Sequence, residues 1–296
     1  MKKIAVFFAA LLCMFASSPL SLMQQASAAD LAPVAMTTDV QGAAWQLEGN
    51  KRTKLGLLAY LTPGLKLQLE PGARVSVTYF AMSREFVLNG PMQAVIEAEQ
   101  VHAVSGAAPL VRSLERNQVI AGQKLTARQR ERQSVATFEM KAFVPGNLQL
   151  RSPVDTRLIA APTEFIWRPV PGASTYQFLL ADTQGRPIHR VSSEARSLRL
   201  PDEVKLQPGQ AYSWTVEVQG SSGLTQTASA GFSLLDEATA QKFISQRPAA
   251  GASFSERLLY ASLLENAGLK LDAQIYWKAL AAERPNDETL QELSNR

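Results

Sequence analysis

Apolar and polar positions alternate with a period of two from about residue 38 to residue 235, and the period becomes helical after Asp236. The clearest alternation lies within residues 162–218. Tyr212, Trp214, Val216 and Val218 interleave with Ser213, Thr215, Glu217 and Gln219, which gives a strand one apolar face and one wet face. Tyr176, Phe178 and Leu180 repeat the pattern, with Leu179 making the opposite face partly apolar, and Leu198 and Leu200 flank Arg199. Pro171-Gly172, Thr183-Gln184-Gly185 and Pro208-Gly209 supply the reversals. Residues 151–235 therefore predict an all-β sandwich of about seven strands. Its last strand covers 225–234 with Phe232 and Leu234 inward, and Trp167 and Trp214 face one another across the core.

A first β region covers residues 38–106. Trp45 and Leu47 flank Gln46; Leu65, Leu67 and Leu69 alternate with Lys66, Gln68 and Glu70; Val75, Val77 and Tyr79 alternate with Arg74, Ser76 and Thr78. Glu48-Gly49-Asn50, Thr62-Pro63-Gly64, Glu70-Pro71-Gly72 and Asn89-Gly90-Pro91 mark turns. Short strands at this spacing predict a small sandwich or barrel. The alternation fails over 110–134, where Arg112, Arg116, Lys124, Arg128, Arg130 and Arg132 accumulate. Residues 107–150 are read as a basic, solvated linker that admits a helix, plus one more strand at 138–143. A nucleic-acid or anionic-lipid footprint would want interleaved aromatics. None is there, and Glu115 and Glu131 interrupt the charge, so no nucleic-acid partner is expected.

Residues 236–296 read as helical. Asp236 is placed to cap a first helix that Pro248 closes, and Ser253 with Glu256 three residues on is a capping-box signal. The next helix runs to Ala267 with Gly268 just past its end. Another carries Ala273, Trp277 and Leu280 on one face and stops at Pro285. Asn286 is expected to cap a short last helix.

A chain of 296 residues accommodates two or three small domains. Lys2 and Lys3, the apolar run 4–15 and Ala26-Ser27-Ala28 form a signal-peptide pattern over 1–28, with Ala29 as first mature residue. That apolar run is short of the ~20 residues a span needs, so the mature chain is expected to carry no transmembrane anchor. The one cysteine, Cys13, leaves with that peptide, and stability must come from packed cores. Of the net charge of +4, Lys2 and Lys3 account for two, leaving about +2, which favours no particular partner.

Candidate chemistry is sparse. The two histidines, His102 and His189, belong to no metal-ligand or protease spacing, and the chain has no G-x-S-x-G and no phosphate loop. Glu97 and Glu99 are read as two residues apart on one exposed strand face, without the shielding that separates the pKa values of a catalytic pair. Ser221, Ser222 and Gly223 read as a turn. The expectation is a protein that is not an enzyme, with no catalytic residue, cofactor or metal.

Three resemblances refine this reading. Gly42-Ala43-Ala44-Trp45, the run ending at Phe80, and Phe86-Val87-Leu88-Asn89-Gly90-Pro91 resemble the FecR-type extracytoplasmic domain, which implies a β-rich module of periplasmic and surface proteins. The run PTEFIWRPVPGASTYQFLLADTQG, followed by LQPGQAYSWTVEV, is similar to fibronectin type III/immunoglobulin-like modules of bacterial envelope proteins, implying a spacer or docking role. Ala261, Leu264, Gly268, Ala273, Trp277, Leu280 and Pro285 fall at the spacing of one tetratricopeptide repeat. A single such hairpin buries little, so it packs on its own sandwich or completes a partner's surface. The expected architecture is mainly β, two small β-sandwich or barrel domains followed by a helical hairpin. The expected role is a periplasmic scaffold or adaptor for an envelope protein partner, docking through Tyr260, Leu264, Trp277 and Leu280. A glycan-binding module, using exposed tryptophans, is the alternative.

Overall fold

The computed structural model describes residues 32–82, 84–114, 147–220 and 223–296. The signal-peptide pattern, most of the basic stretch with its expected strand at 138–143, and Ser221 and Ser222 lie outside the described residues.

The first β region is a sandwich of two five-stranded antiparallel sheets. One sheet orders β10 (Leu110–Ser113), β7 (Arg84–Asn89), β6 (Arg74–Tyr79), β1 (Ala35–Gln41) and β4 (Tyr60–Leu61). The other orders β3 (Lys51–Lys54), β2 (Ala44–Glu48), β5 (Lys66–Leu69), β8 (Met92–Ile96) and β9 (Val101–Ser105). Ala35, Leu67, Val75, Val77, Leu88 and Ile96 fill the space between them, and no barrel closes among the described residues. The sandwich starts at Ala35, three residues earlier than the alternation suggests. It also claims Leu110–Ser113, which the sequence places in the linker. That strand pairs with β7 in the register Leu110↔Val87 to Ser113↔Arg84. All four of its residues are exposed, so no buried face imposes an alternation that a sequence reading could find. Glu97 and Glu99 are corrected too: they lie in the connection after β8, not on a strand.

The second sandwich has eight strands rather than seven. A three-stranded sheet orders β11 (Gln149–Ser152), β13 (Phe165–Arg168) and β16 (Ser197–Leu198). It faces a five-stranded sheet of β12 (Thr156–Leu158), β18 (Thr225–Leu234), β17 (Ala211–Gln219), β14 (Tyr176–Asp182) and β15 (Pro187–Ser193). In β17, Tyr212, Trp214, Val216 and Val218 are buried while Ser213 and Glu217 are exposed, as a period of two requires. Trp167 and Trp214 sit in opposite sheets, with aromatic rings between them. Phe178 stacks on Trp167 at 6.4 Å and lies 6.0 Å from Trp214, and Phe165 meets Trp214 edge-on at 5.2 Å. The Trp214 ring N–H donates to the Pro153 carbonyl at 2.7 Å.

Four helices follow: α1 (Glu237–Ser245), α2 (Phe254–Asn266), α3 (Lys270–Glu283) and α4 (Glu288–Ser294). Asp236 caps α1, accepting from the Thr239 N–H at 2.9 Å. Ser253 and Glu256 complete the capping box of α2. Gly268 takes a φ of +78° just beyond that helix, a left-handed conformation in which glycine carries no Cβ penalty. The last cap is Asp287, not Asn286. Its carboxylate accepts from the Leu290 N–H at 3.0 Å, one residue further along than the sequence suggests.

Helix α2 is buried on two sides. Leu258, Ala261 and Leu264 pack with Trp277 and Leu280 of α3. On another side Leu259 joins Met36, Phe80 and Leu114 against the outer face of the β1 sheet. Ser255 and Ser262, a helical turn to either side of Leu259, are 3% exposed. No residue of α2 is exposed, so the helix is enclosed by its neighbours on every side.

Candidate partner-docking surface

The four residues expected to meet a partner are interior. Tyr260 is 2% exposed, Leu264 and Leu280 are 0%, and Trp277 is 3%. The Tyr260 hydroxyl donates to the Phe243 carbonyl at 2.9 Å, and its ring meets Tyr276 edge-on at 5.0 Å. The Trp277 ring N–H donates to Glu265 Oε2 at 2.9 Å. Their cluster is completed by Leu57 of the first sandwich and Leu235 of the second, with Val40, Leu58 and Ile159 packed against it. The two alternatives for the hairpin thus resolve as cover by its own chain, from both sandwiches.

Polar bonds hold the same arrangement. The Arg157 N–H donates to the Gly268 carbonyl at 2.9 Å, and Arg157 Nη1 to the Ala267 carbonyl at 3.2 Å. The Thr156 hydroxyl donates to the Gly268 carbonyl and accepts from the Lys270 N–H, both at 3.2 Å. The turn between α2 and α3 is therefore stitched to β12. Towards the first sandwich, Arg284 Nη2 lies 3.5 Å from Asp39 Oδ2, and its guanidinium sits 4.7 Å over the Phe254 ring. Within the helical end Arg257 forks onto Glu283, with Nη2 2.8 Å from Oε2. That guanidinium holds Glu283 below the ordinary carboxylate range. Burial pushes Asp272 the other way, upward, against a backbone hydrogen bond from Ile159 and the charge of Arg247.

The tryptophans offer no stacking platform. Trp167 and Trp214 are 1% and 0% exposed. Trp45 is half-buried with Arg52 lying 4.2 Å over its ring. No Trp, Tyr or Phe side chain is exposed among the described residues. His102 is exposed on β9 and His189 half-buried on β15, in different sandwiches. Among the described residues no group of three or more His, Cys, Asp or Glu is placed to hold a metal. No helix among them is long and apolar enough to cross a membrane.

The exposed apolar surface lies elsewhere. Val104, Leu110 and Val111 are 58%, 56% and 57% exposed. They occupy β9 and β10, the edge strands of the two sheets of the first sandwich, joined by residues 106–109. The other edges of that sandwich are blunted: β3 is Lys-Arg-Thr-Lys, and β4 has two residues. Sequence reasoning missed this flank. The signal available was adjacent aliphatics, Leu110-Val111, after a run of small residues and a proline.

No family model matches the chain, and no curated protein matches it. Among solved structures, the crystal structure of CopC from Methylosinus trichosporium OB3b is similar at a TM-score of 0.26 and 17% identity. The match covers 30% of this chain and 95% of that one. A likeness of that size carries no statement about fold or ligand.

Proposed function

We propose that this protein is a non-enzymatic periplasmic adaptor that engages an envelope protein through the β9–β10 flank of its first sandwich. The observation that carries the reading is the exposed apolar trio Val104, Leu110 and Val111 on two edge strands. An edge strand presents unpaired backbone groups, and pairing with a strand of another chain supplies both hydrogen bonds and apolar contact. The signal-peptide pattern over 1–28 supports export. The resemblance of 38–106 to FecR-type domains, and of 162–218 to fibronectin type III/immunoglobulin-like modules, supports a place in the envelope. The single tetratricopeptide-like hairpin then serves as an internal brace, since its docking face is spent on its own sandwiches.

The test is site-specific photocrosslinking in intact cells of the native host, with the crosslinker at position 111 and, as a control, at Ile275, an apolar residue 68% exposed on α3. The expected result is a discrete adduct from position 111 and none from 275. The same adducts from both positions, or none from 111, would contradict the reading. Cell fractionation should find the mature form beginning near Ala29 in the periplasm; a full-length form held in the inner membrane would place the protein elsewhere.

A further inference from the structure

We infer that the first sandwich takes an extended segment of its partner as a sixth strand of the β10 sheet, and that this segment carries an aspartate or glutamate beside Arg112. The inference rests on the adaptor reading above and narrows it, from a flank to one edge and from any strand to an acidic one. β10 is an outermost strand, paired with β7 alone, so alternate N–H and C=O groups along it have no partner strand.

The outermost strands of this sandwich are not equivalent. β3 carries three cations in four residues, and β4 has only two residues. β9 is broken by a bulge: Gln93 pairs with Ser105 and Ala94 with Ala103, leaving Val104 as an extra residue. Each of these features discourages a regular ladder. β10 has no bulge and runs in unbroken register from Leu110↔Val87 to Ser113↔Arg84. Both of its faces are uncovered. Val111 stands across from Phe86, a residue of the core between the two sheets, and so faces the same way. Yet Phe86 is 5% exposed and Val111 57%. Leu110 stands across from Val87 on the other face, and only Val87 is buried. A strand laid beside β10 would cover both with aliphatic side chains, one on each face.

Arg112 sets the third position. It lies across from Glu85 in the register, but Glu85 is buried and its Oε1 accepts from the Thr38 hydroxyl at 3.4 Å. Arg112 is exposed and has no ion pair among the described residues. On the open side of β10 its neighbour is the incoming strand. Opposite charges directly across two strands stabilise their pairing, and like charges oppose it. The segment that fits therefore has an acid next to two aliphatic residues, opposite Arg112, Val111 and Leu110 in turn.

The experiment is an NMR titration of the isotopically labelled full chain, following the Leu110 to Ser113 amides, with two capped peptides as probes. Acetyl-Thr-Glu-Val-Val-Glu-Thr-amide reads alike in both directions, so it offers an acid to Arg112 whether it adds parallel or antiparallel. Its counterpart has lysine in place of both glutamates. Two variants accompany the wild type: Arg112→Glu, and Arg112→Gln, which sets no second carboxylate across from Glu85. The expected result is saturable shifts at β10, with the acidic peptide bound about three- to tenfold more tightly than the basic one. Arg112→Glu should reverse that order, and Arg112→Gln should abolish it. No saturable shift at β10, equal binding of the two peptides by the wild type, or a preference that both variants keep would overturn the inference. All three leave a crosslink at position 111 standing. Loss of that crosslink with the peptide preference intact would instead remove the adaptor reading and keep the acidic-strand chemistry.

Discussion

Trp214 in the second sandwich and Trp277 in the helical end are both buried, yet the cores around them are completed in different ways. Trp214 is enclosed by aromatic neighbours from its own sandwich, Phe165 and Phe178, and its ring N–H is satisfied by Pro153 of the same sandwich. Trp277 belongs to a cluster that needs Leu57 from one sandwich and Leu235 from the other. The second sandwich thus closes its aromatic centre from within, with Leu271 of α3 packed at its margin. The helical end borrows its stability, because a lone helical hairpin has too little apolar surface to bury by itself.

The largest expected effect tests the self-contained half of that contrast. Trp214→Ala should cost on the order of 3–5 kcal/mol in denaturant unfolding, through the cavity left and the stranded Pro153 carbonyl. A loss under about 1 kcal/mol would mean the second sandwich does not depend on its aromatic centre. Leu259→Ala comes next, at about 2–4 kcal/mol, because Leu259 is 1% exposed between α2 and the first sandwich. Its signature is faster proteolytic cleavage within α2; cleavage at the wild-type rate would sever the link claimed between helix and sandwich.

Smaller effects sharpen the same contrast. Arg284→Ala leaves Asp39 buried without its cation and should cost about 1–3 kcal/mol, read as a lower midpoint of thermal unfolding. Asp39→Asn combined with it should recover part of that loss, and an additive double variant would show that the two do not interact. The smallest effect is electrostatic. Glu283 is held below its ordinary pKa by Arg257, so its contribution is present above the unfolded value and lost as pH falls through the folded one. Asp272 has the opposite sign: burial raises it, so its ionisation weakens the fold as pH rises through its folded value. Glu283→Gln should therefore flatten the acid limb of the stability profile, and Asp272→Asn should relieve a penalty at neutral pH. For the partly exposed Glu283 pair the change is at most about 1 kcal/mol. Equal slopes in wild type and Glu283→Gln would remove the Arg257 pair from the account.

The sequence made the fold legible wherever burial was one-sided. Tyr212 to Val218 alternate because one face of β17 is core, and Asp236 and Ser253 announce helix starts because capping is local chemistry. Strands exposed on both faces left no such trace. Lys51–Lys54 and Leu110–Ser113 are exposed throughout, so neither registered as a strand. The candidate docking site failed for a related reason. Helical spacing correctly put Leu264, Trp277 and Leu280 on facing sides of a hairpin, but periodicity identifies an apolar face without naming what covers it. The cover comes from Leu57, Leu58 and Val40, some 200 residues earlier in the chain, and no local pattern encodes that meeting. Asp39 and Arg284 are as far apart, so their meeting was equally invisible.

As an internal brace, the helical end should open only together with the sandwiches it joins. The check is native-state hydrogen exchange across a denaturant series, comparing α2 and α3 amides with those of β1, β6, β17 and β18. Helical amides around Leu259, Leu264 and Trp277 should share the opening free energy and denaturant dependence of the β1 sheet. Helical amides that exchange through a separate opening of much lower energy, while every strand stays protected, would contradict it.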